Sequence, residues 1–222
     1  MIKEITVLIP AYYEGPRIEK VLEVVTSYHR DRRVIVIDDG SPDDTSEKAS
    51  RFPVEVIKHR QNLGKGSALQ SGVEYIPKKD RSPFWIFLDA DLINLKHTHI
   101  DKLLKPLETG GNTGMCVGMF AEGGKLRVDL AQKYFGILNG QRSLSLDFVN
   151  DLPDLSWCRF GAEIFLSKTA KAKNIPVAYP VLEGITHHTK EEKFGIFRGT
   201  LYRLQMYREC LKALFTWHKH IP

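Results

Sequence analysis

The sequence predicts an α/β fold in which a mainly parallel central sheet is flanked by helices. Short apolar runs rich in Val, Ile and Phe occur at residues 5–9, 34–37, 54–57 and 84–88. Uninterrupted runs of this kind are typical of strands that are buried on both faces. The segments between them are long enough for helices, so we expect crossover connections rather than hairpins.

The connecting segments show the spacing of amphipathic helices. Residues 17–28 and 100–107 carry apolar side chains three or four positions apart, and residues 64–76 enter a helix through glycines. A fifth strand is predicted over residues 114–120. The remaining elements, a helix, a strand and a long helix, are predicted over residues 161–173, 177–181 and 194–217.

Composition and charge restrict the possible partners. The chain has 222 residues, 42% of them apolar, with a net charge of +5, so it can bury a core and attract an anionic ligand. Its Lys and Arg residues are spread out, whereas nucleic-acid binders usually concentrate them in a stripe with aromatic residues between them. We therefore expect an anionic small molecule or a phospholipid surface, and no nucleic acid.

Cysteine usage and hydropathy suggest a location. Cys116, Cys158 and Cys210 are far apart and form no CxxC pair, which favours a reducing cytoplasm. No apolar run approaches the roughly 20 residues of a membrane span. The basic helix at 194–217 has two interpretations: its apolar stripe packs on the core, or it contacts the inner face of a membrane peripherally.

The acidic pair in Asp89-Ala90-Asp91 directly follows the strand predicted at 84–88. Carboxylate oxygens are the ligands that Mg²⁺ and Mn²⁺ prefer, and these ions take further ligands from phosphates. The alternative is a helix cap beside a solvated acid. The position at the end of a buried strand favours a metal site that also holds a diphosphate.

Two other predicted strands also end in polar clusters, Pro10-Ala11-Tyr12 and Asp38-Asp39-Gly40. Ligands of parallel α/β sheets bind at the carboxyl ends of the strands, so these clusters and the acidic pair are expected along one edge. A carboxylate such as Asp39 then binds a ribose or a base. Its competing role is in a helix cap, which Ser41 or Asp43 also fits.

Three further positions carry candidate chemistry. Lys65 follows Gly64 at a helix start, where backbone N–H groups and an ammonium favour a phosphate. His187 follows the last predicted strand and is either a nitrogen ligand of the same metal or a structural histidine. Glu163, early in a helix, either complements the helix dipole or acts on the acceptor side as a base or positioning group.

Four motifs, in this order, resemble those of family 2 glycosyltransferases, and especially the dolichol- or polyprenyl-phosphate sugar transferases. The resemblance is concentrated in residues 3–92 and implies a GT-A fold. No linker or repeat divides the chain, so we expect a single domain. The resemblance implies that residues 1–120 bind the nucleotide sugar and the metal and that residues 121–222 bind the acceptor. The motifs are Ile9-Pro10-Ala11-Tyr12 with Glu14, Val36-Ile37-Asp38-Asp39-Gly40-Ser41, Asn62-Leu63-Gly64-Lys65-Gly66 and Leu88-Asp89-Ala90-Asp91.

The resemblance also implies roles for individual residues. Asp91 touches the metal directly, Asp89 reaches ribose or the metal, and His187 is a third metal ligand. Arg142, in Gly140-Gln141-Arg142, and Glu163 are expected at the sugar or acceptor, with Asp91 also counted as catalytic. The predicted nucleotide-sugar pocket comprises Pro10, Ala11, Tyr12, Glu14, Asp38, Asp39, Lys65, Asp89 and Ala90.

The expected reaction is metal-dependent transfer from a nucleoside diphosphate sugar, with UDP favoured over GDP, to a phosphorylated acceptor such as polyprenyl phosphate. The acidic pair that many inverting members use as a base is missing, since Asp151 and Asp154 fit it poorly. A phosphate acceptor is already anionic and needs no strong base. Transfer with retention to a small soluble phosphorylated acceptor therefore remains an alternative.

Two other classes of function remain open. Sugar-phosphate nucleotidyltransferases also use an α/β sheet, but they usually open with a glycine-rich loop, which the segment after the first strand lacks. A nucleotide-sugar-binding module without turnover is the non-catalytic alternative. The intact acidic pair and His187 argue against it.

Overall fold

The computed structural model of the protein describes residues 2–109, 111–121, 139–188 and 190–221, so part of the predicted acceptor half, residues 122–138, lies outside the described residues. Strands and helices alternate in the first half. They are β1 (Ile5–Ala11), α1 (Ile18–Thr26), β2 (Arg32–Asp38), α2 (Thr45–Ala49), β3 (Glu55–Lys58), α3 (Lys65–Tyr75), β4 (Phe84–Phe87), β5 (Leu92–Ile93) and α4 (His97–Thr109).

The second half has shorter strands and ends in a long helix. Within the described ranges, 3₁₀ turns accompany the regular elements at Lys78–Asp80, Ser156–Gly161 and Trp217–Lys219. The elements are β6 (Met115–Val117), β7 (Met119–Ala121), β8 (Arg142–Ser145), α5 (Leu146–Asn150), α6 (Ala162–Ala172), β9 (Val177–Ala178), β10 (Val181–Glu183), β11 (Thr186–His187) and α7 (Lys190–Thr216).

Among the described residues, seven strands form the main sheet in the order β3-β2-β1-β4-β8-β6-β9. The first four strands of this order are parallel, as is the pair β6 and β9. Strand β8 lies between β4 and β6 and is antiparallel to both. Two small sheets pair β7 with β10 and β5 with β11. The predicted α/β fold with a mainly parallel sheet is confirmed.

Both faces of the sheet are covered, which explains the uninterrupted apolar runs. Along β1, Val7 and Ile9 belong to a core that includes α1 and α4, whereas Leu8 belongs to a core on the other face with α3 and α6. Successive strand residues point to opposite faces, so every position of such a strand meets apolar neighbours. Each fully buried side chain of this size contributes about 1.5–3 kcal/mol.

The strand predicted over 114–120 is two strands in different sheets. The break falls at Gly118, whose N–H donates to the carbonyl of Gln141 at 2.8 Å, whereas the next N–H, of Met119, donates to Pro180 at 2.8 Å. Consecutive N–H groups therefore bond to different segments, and the strand is divided between two sheets at this point. Sequence periodicity did not predict this division, because both pieces are apolar.

Helix α7 does not bury the apolar stripe that its sequence presents. Phe197 is 80% exposed and Phe215 70% exposed, and the leucines between them are also exposed. The fully buried Ala213 instead approaches Gly161, where an added Cβ would lie 2.3 Å from the Ala213 methyl carbon. In the described part of the chain, no helix combines the length and apolar character needed to cross a membrane.

His99, in the first turn of α4, connects that helix to β10. Its Nδ1 accepts the N–H of Lys96 at 3.1 Å, and its Nε2 donates to the carbonyl of Glu183 at 3.0 Å. The ring is buried, and burial lowers the pKa of His99 below its ordinary value of 6.5. The neutral ring makes both hydrogen bonds, so protonation in the folded state breaks one of them.

We therefore expect stability to fall as the pH falls below about 6.5, because the unfolded chain then binds a proton that folded His99 does not. His99→Gln should be less stable than wild type at pH 7.5 but lose less stability on acidification. Urea unfolding at pH 7.5 and 5.5 measures both differences. His218→Gln, on an exposed turn, is the control; equal acid sensitivity of His99→Gln and wild type would contradict this role.

Candidate functional site

The loops that follow β1 and β2 are joined by backbone-to-side-chain hydrogen bonds. The N–H of Tyr13 donates to Ser41 Oγ at 3.0 Å, and the N–H of Glu14 donates to Thr45 Oγ1 at 2.9 Å. The N–H of Asp39 donates to the carbonyl of Ala11 at 2.8 Å. These bonds bring together the two polar clusters that the sequence analysis placed on one edge of the sheet.

Asp39 holds the loop that leads into α3. Its carboxylate accepts the N–H groups of Leu63 at 2.9 Å and Gly64 at 2.7 Å. Nδ1 of His59 lies 2.8 Å from the same carboxylate. Asp39 therefore fixes the start of α3, which carries Lys65, and is itself only 3% exposed.

Asp38 does not face the cleft, contrary to the prediction that it lines the nucleotide pocket. It has no exposed surface. Its carboxylate accepts the N–H of Ser41 at 2.8 Å and is also bonded by Ser46. Neighbouring residues at a strand end point to opposite faces, so Asp38 organises the turn before α2.

Asp89 lies at the centre of a buried polar network. One carboxylate oxygen is 2.5 Å from Lys65 Nζ, and the other accepts a hydrogen bond from Gln141 Nε2 at 2.7 Å. The N–H of Asp89 donates back to Gln141 Oε1 at 3.0 Å. Lys65 also forms an ion pair with Glu163, in the first turn of α6. The network thus joins the end of β4 to α3, α6 and the segment before β8.

Charge balance explains how these groups tolerate burial. Burial alone raises the pKa of Asp89, but the Lys65 ammonium and the Gln141 hydrogen bond outweigh it and hold that pKa well below its usual range. Burial likewise lowers the pKa of Lys65, and the carboxylates of Asp89 and Glu163 more than reverse the effect. Asp89 and Lys65 are therefore both charged at neutral pH.

Gly140 lets the backbone approach this network closely. A Cβ at this position would lie 2.5 Å from Asp89 Oδ2 and 2.6 Å from Lys65 Nζ, closer than a Cβ carbon packs, so these side chains would have to shift. The following residue, Gln141, was not among the predicted site residues, although its segment was identified through the family resemblance. The structure places Gln141, rather than Arg142, in contact with Asp89.

The prediction that Arg142 faces the sugar or acceptor is not met in the structure. Arg142 has no exposed surface and lies in β8 opposite Phe87 and Val117. Its Nε donates to the carbonyl of Asn139 at 3.0 Å and its terminal nitrogen to Ser167 Oγ at 2.9 Å. Burial lowers the pKa of Arg142 to about 10. The buried Arg142 guanidinium thus helps to fix the segment that carries Gln141, through its hydrogen bond to Asn139.

A second buried ion cluster surrounds Asp91. Lys193, in the first turn of α7, forms ion pairs with both Asp91 and Glu14. Burial raises the pKa of Glu14 to about 7, and the Asp91 charge adds to the rise while the Lys193 ammonium opposes it. Nothing in the sequence pattern indicated Lys193, because it is one lysine of a basic stretch far from the motifs.

His187 reaches the same edge of the sheet through β11. It pairs with Leu92, the residue after Asp91, while His188 Nδ1 lies 3.4 Å from Glu192. Among the described residues, no three His, Cys, Asp or Glu side chains are grouped closely enough to hold a metal ion. Asp89, Asp91 and His187 are thus near one another in the fold, but the predicted metal group is not assembled.

The donor types nevertheless fit a divalent ion. Two carboxylates and an imidazole are ligands that Mg²⁺ or Mn²⁺ accepts, and the structure already stabilises a cation beside each carboxylate. Those cations are the ammonium groups of Lys65 at Asp89 and Lys193 at Asp91. Positive charge is therefore favoured at this edge of the sheet.

The other predicted residues contribute mainly through their backbone or through packing. The methyl groups of Ala11 and Ala90 lie in the core that includes α1 and α4, and Pro10 pairs with Ile37 in the sheet. Asp151, one of the weak base candidates, is exposed and pairs with Lys173 at 2.5 Å. Asp154, the other, bonds the N–H and hydroxyl of Ser156.

A cavity of about 730 Å³ adjoins the Asp91 cluster. It lies between the loops after β1 and β2 and the side of α7. Burial raises the pKa of Tyr12, and its electrostatic interaction and hydrogen bond with Tyr202 add to the rise. This volume falls within the range of small-molecule sites. The lining residues are Tyr12, Tyr13, Pro42, Lys193, Leu201, Tyr202 and Gln205.

We expect Lys65→Met to lower the free energy of unfolding by about 3–5 kcal/mol, because it leaves two largely buried carboxylates without a counter-charge. The double variant Lys65→Met/Glu163→Gln should recover part of that loss. Urea unfolding at pH 7.5 measures both. In the control, Lys173→Met at the exposed Asp151 pair should cost less than about 1 kcal/mol; equal losses at the two lysines would contradict the network.

Comparison with known proteins agrees with this architecture. Residues 6–162 match the family model described as glycosyl transferase family 2. The chain is 29% identical over 130 residues to a dolichol-phosphate mannosyltransferase of Pyrococcus furiosus, covering 55% of this chain and 35% of that protein. It is 33% identical over 121 residues to a human dolichyl-phosphate beta-glucosyltransferase, covering 47% and 36%. The chain thus spans about a third of the length of these relatives.

A solved structure shows the same fold. Glucosyl-3-phosphoglycerate synthase from Mycobacterium tuberculosis, in complex with Mn²⁺, UDP and glucosyl-3-phosphoglycerate, superposes with a TM-score of 0.76 at 23% identity. The match covers 97% of this chain and 80% of that one. The parallel strands that end in polar clusters, the family match over most of the chain and this likeness agree: the chain has a GT-A fold and belongs to glycosyl transferase family 2.

Proposed function

We propose that the chain transfers a sugar from a nucleoside diphosphate sugar to a phosphorylated acceptor with the help of a divalent metal ion. The observation that carries this proposal is that the cluster of buried charges around Asp91 adjoins the cavity. Lys193 both pairs with Asp91 and lines the cavity beside Tyr12. A nucleoside in the cavity would therefore direct its diphosphate toward Asp91.

In this proposal the chain's own residues bind and orient the donor. Tyr12 and Tyr202 flank the nucleoside, and Asp39 keeps the Gly64 turn and Lys65 in place beside Asp89. Asp91, with His187 and Asp89, would hold Mg²⁺ or Mn²⁺. When bound there, such an ion would supply positive charge to stabilise the leaving diphosphate. Glu163, fixed by Lys65, would face the sugar and acceptor as a positioning group.

The preference for UDP and for a phosphorylated acceptor draws support from similar proteins. The M. tuberculosis synthase was crystallised with Mn²⁺, UDP and glucosyl-3-phosphoglycerate, and the named relatives act on dolichyl phosphate or dolichol phosphate. A phosphate oxygen attacks the anomeric carbon without first losing a proton to a strong base. A reaction without a strong base is consistent with the site, because its carboxylates are already paired with Lys65 and Lys193.

A lipid phosphate is the acceptor that the surface of α7 favours. Its exposed apolar residues are accompanied by the exposed cations Arg208 and Lys212, a combination that suits contact with anionic lipids. A soluble phosphorylated acceptor, with retention of configuration, is the second candidate. It is supported by the extent of the fold likeness to the phosphoglycerate enzyme.

Asp91→Ala should lower metal-dependent sugar transfer by about 100-fold or more, because it removes the carboxylate proposed to hold the ion that stabilises the leaving diphosphate. Release of UDP from UDP-sugars in Mn²⁺, with polyprenyl phosphate or 3-phosphoglycerate present, measures the effect. GDP-sugars are assayed in parallel. The exposed acid Asp151 supplies the control variant, Asp151→Asn, and unchanged turnover in a folded Asp91→Ala protein would refute the assignment.

The two acceptor classes are separated by a change on α7. Leu204→Glu places a negative charge on a face where Leu204 is 58% exposed, so transfer to polyprenyl phosphate in anionic liposomes should fall about tenfold or more. Hydrolysis of the donor should be unaffected. Ile2→Glu, at a residue 54% exposed elsewhere, is the matched control. Transfer to 3-phosphoglycerate alone would instead establish the soluble acceptor.

A further inference from the structure

Lys193 occupies an unusual position for a lysine outside the motifs. Its side chain is only 4% exposed, and its ammonium pairs with Glu14 and Asp91, which are 8% and 10% exposed. Glu14 follows β1 and Asp91 follows β4. One cation from the C-terminal helix thus joins two carboxylates from different strand ends.

Asp91 depends on this ammonium for charge balance more than Glu14 does. Glu14 has a second cation, Arg17, at 3.4 Å, whereas among the described residues the ion pair of Asp91 is with Lys193. Two carboxylates on one buried cation repel each other when the cation is removed. A positive charge is therefore needed at this position, but it need not be an ammonium group.

The segment that carries Lys193 is separated from the rest of α7 by a break in the helix. Gly195 has φ 76° and ψ 167°, a conformation essentially restricted to glycine. A Cβ there would have nothing within 4 Å, so the requirement for glycine comes from the backbone rather than from crowding. A rotation at Gly195 would move the lysine without displacing the rest of α7.

The space next to Lys193 is the cavity proposed for the nucleoside. Lys193 lines that cavity together with Tyr12 and Tyr202. An ammonium that leaves Asp91 therefore enters the region where a diphosphate would lie. Phosphate oxygens are suitable partners for it there, so the charge remains paired after the movement.

We propose that Lys193 is an internal cation that holds the metal position beside Asp91 while the nucleotide pocket is empty, and that a divalent ion arriving with a nucleoside diphosphate displaces it toward the diphosphate. This inference rests on the proposed metal-dependent function. Lysine and metal then compete for one carboxylate. The nucleotide relieves the competition because it offers the lysine another anionic partner and the ion further oxygen ligands.

Competition of this kind reduces the apparent metal affinity in proportion to the fraction of molecules in which Lys193 has left Asp91. Mn²⁺ should therefore bind weakly to the free wild-type protein and much more tightly once UDP is present. A neutral residue at position 193 removes the competitor. It should strengthen Mn²⁺ binding in the absence of nucleotide and reduce the advantage that UDP confers.

The test is a titration of free Mn²⁺ by electron paramagnetic resonance, with and without UDP, on wild type and two neutral variants, Lys193→Met and Lys193→Gln. Both neutral variants should bind Mn²⁺ about tenfold more tightly than wild type without UDP. Lys193→Arg keeps the charge and should stay within about twofold of wild type. Lys173→Met, at the exposed Asp151 pair, controls for the loss of one positive charge.

The outcomes separate this inference from the proposed function. Wild type and neutral variants that bind Mn²⁺ equally, and only with UDP, would overturn the competition while leaving metal-dependent transfer intact. If no protein binds Mn²⁺ even with UDP, both proposals fail. Tighter binding in Lys173→Met as well would reduce the effect to general charge and overturn the specific role of Lys193. Circular dichroism shows whether each variant is folded. Methionine is apolar and glutamine is polar, so if one neutral variant fails to fold, the other still tests the proposal.

Discussion

The buried ammonium group of Lys65 connects the parts of the fold that make up the site. It contacts Asp89 after β4 and Glu163 in α6, while its own helix is anchored through Asp39. Removing charged groups from water is costly unless they pair with good geometry. The position of each acid is therefore restricted by the others, and Gly140 and Gln141 fit against the pair at close range.

A second buried lysine repeats this arrangement at the other carboxylate of the acidic pair. Lys65 forms an ion pair with Asp89, and Lys193 forms one with Asp91, so these neighbouring carboxylates are neutralised by cations from α3 and α7. The two lysines differ in their anchorage. Lys65 lies in a helix held by Asp39 through Leu63 and Gly64, whereas Lys193 precedes the backbone break at Gly195. This difference is the physical basis for treating one as fixed and the other as exchangeable.

Membership of family 2 and the GT-A fold account for the edge at which these clusters form. Parallel strands bring their carboxyl ends together, and here the loops after β1 and β2 are further joined by Ser41 and Thr45. The apolar face of α7 is a different kind of feature. It faces outward in the described structure, and in the proposed function it contacts the lipid that carries the acceptor phosphate.

Local sequence was sufficient for the parallel strands, the helices between them and the convergence of Asp39 and Asp89, because burial on both faces produces a recognisable apolar run. It could not supply the antiparallel strand β8, the inward orientation of Arg142 or the contacts of Gln141 and Lys193. Those depend on long-range pairing, for which the sequence carries no periodic signal. The motifs by themselves predicted carboxylates at one edge of the sheet. Only the tertiary structure decided that Asp38 turns away from the cleft and which cations neutralise the other acids, because buried charges pair with the nearest opposite charge in space, whatever their separation along the chain.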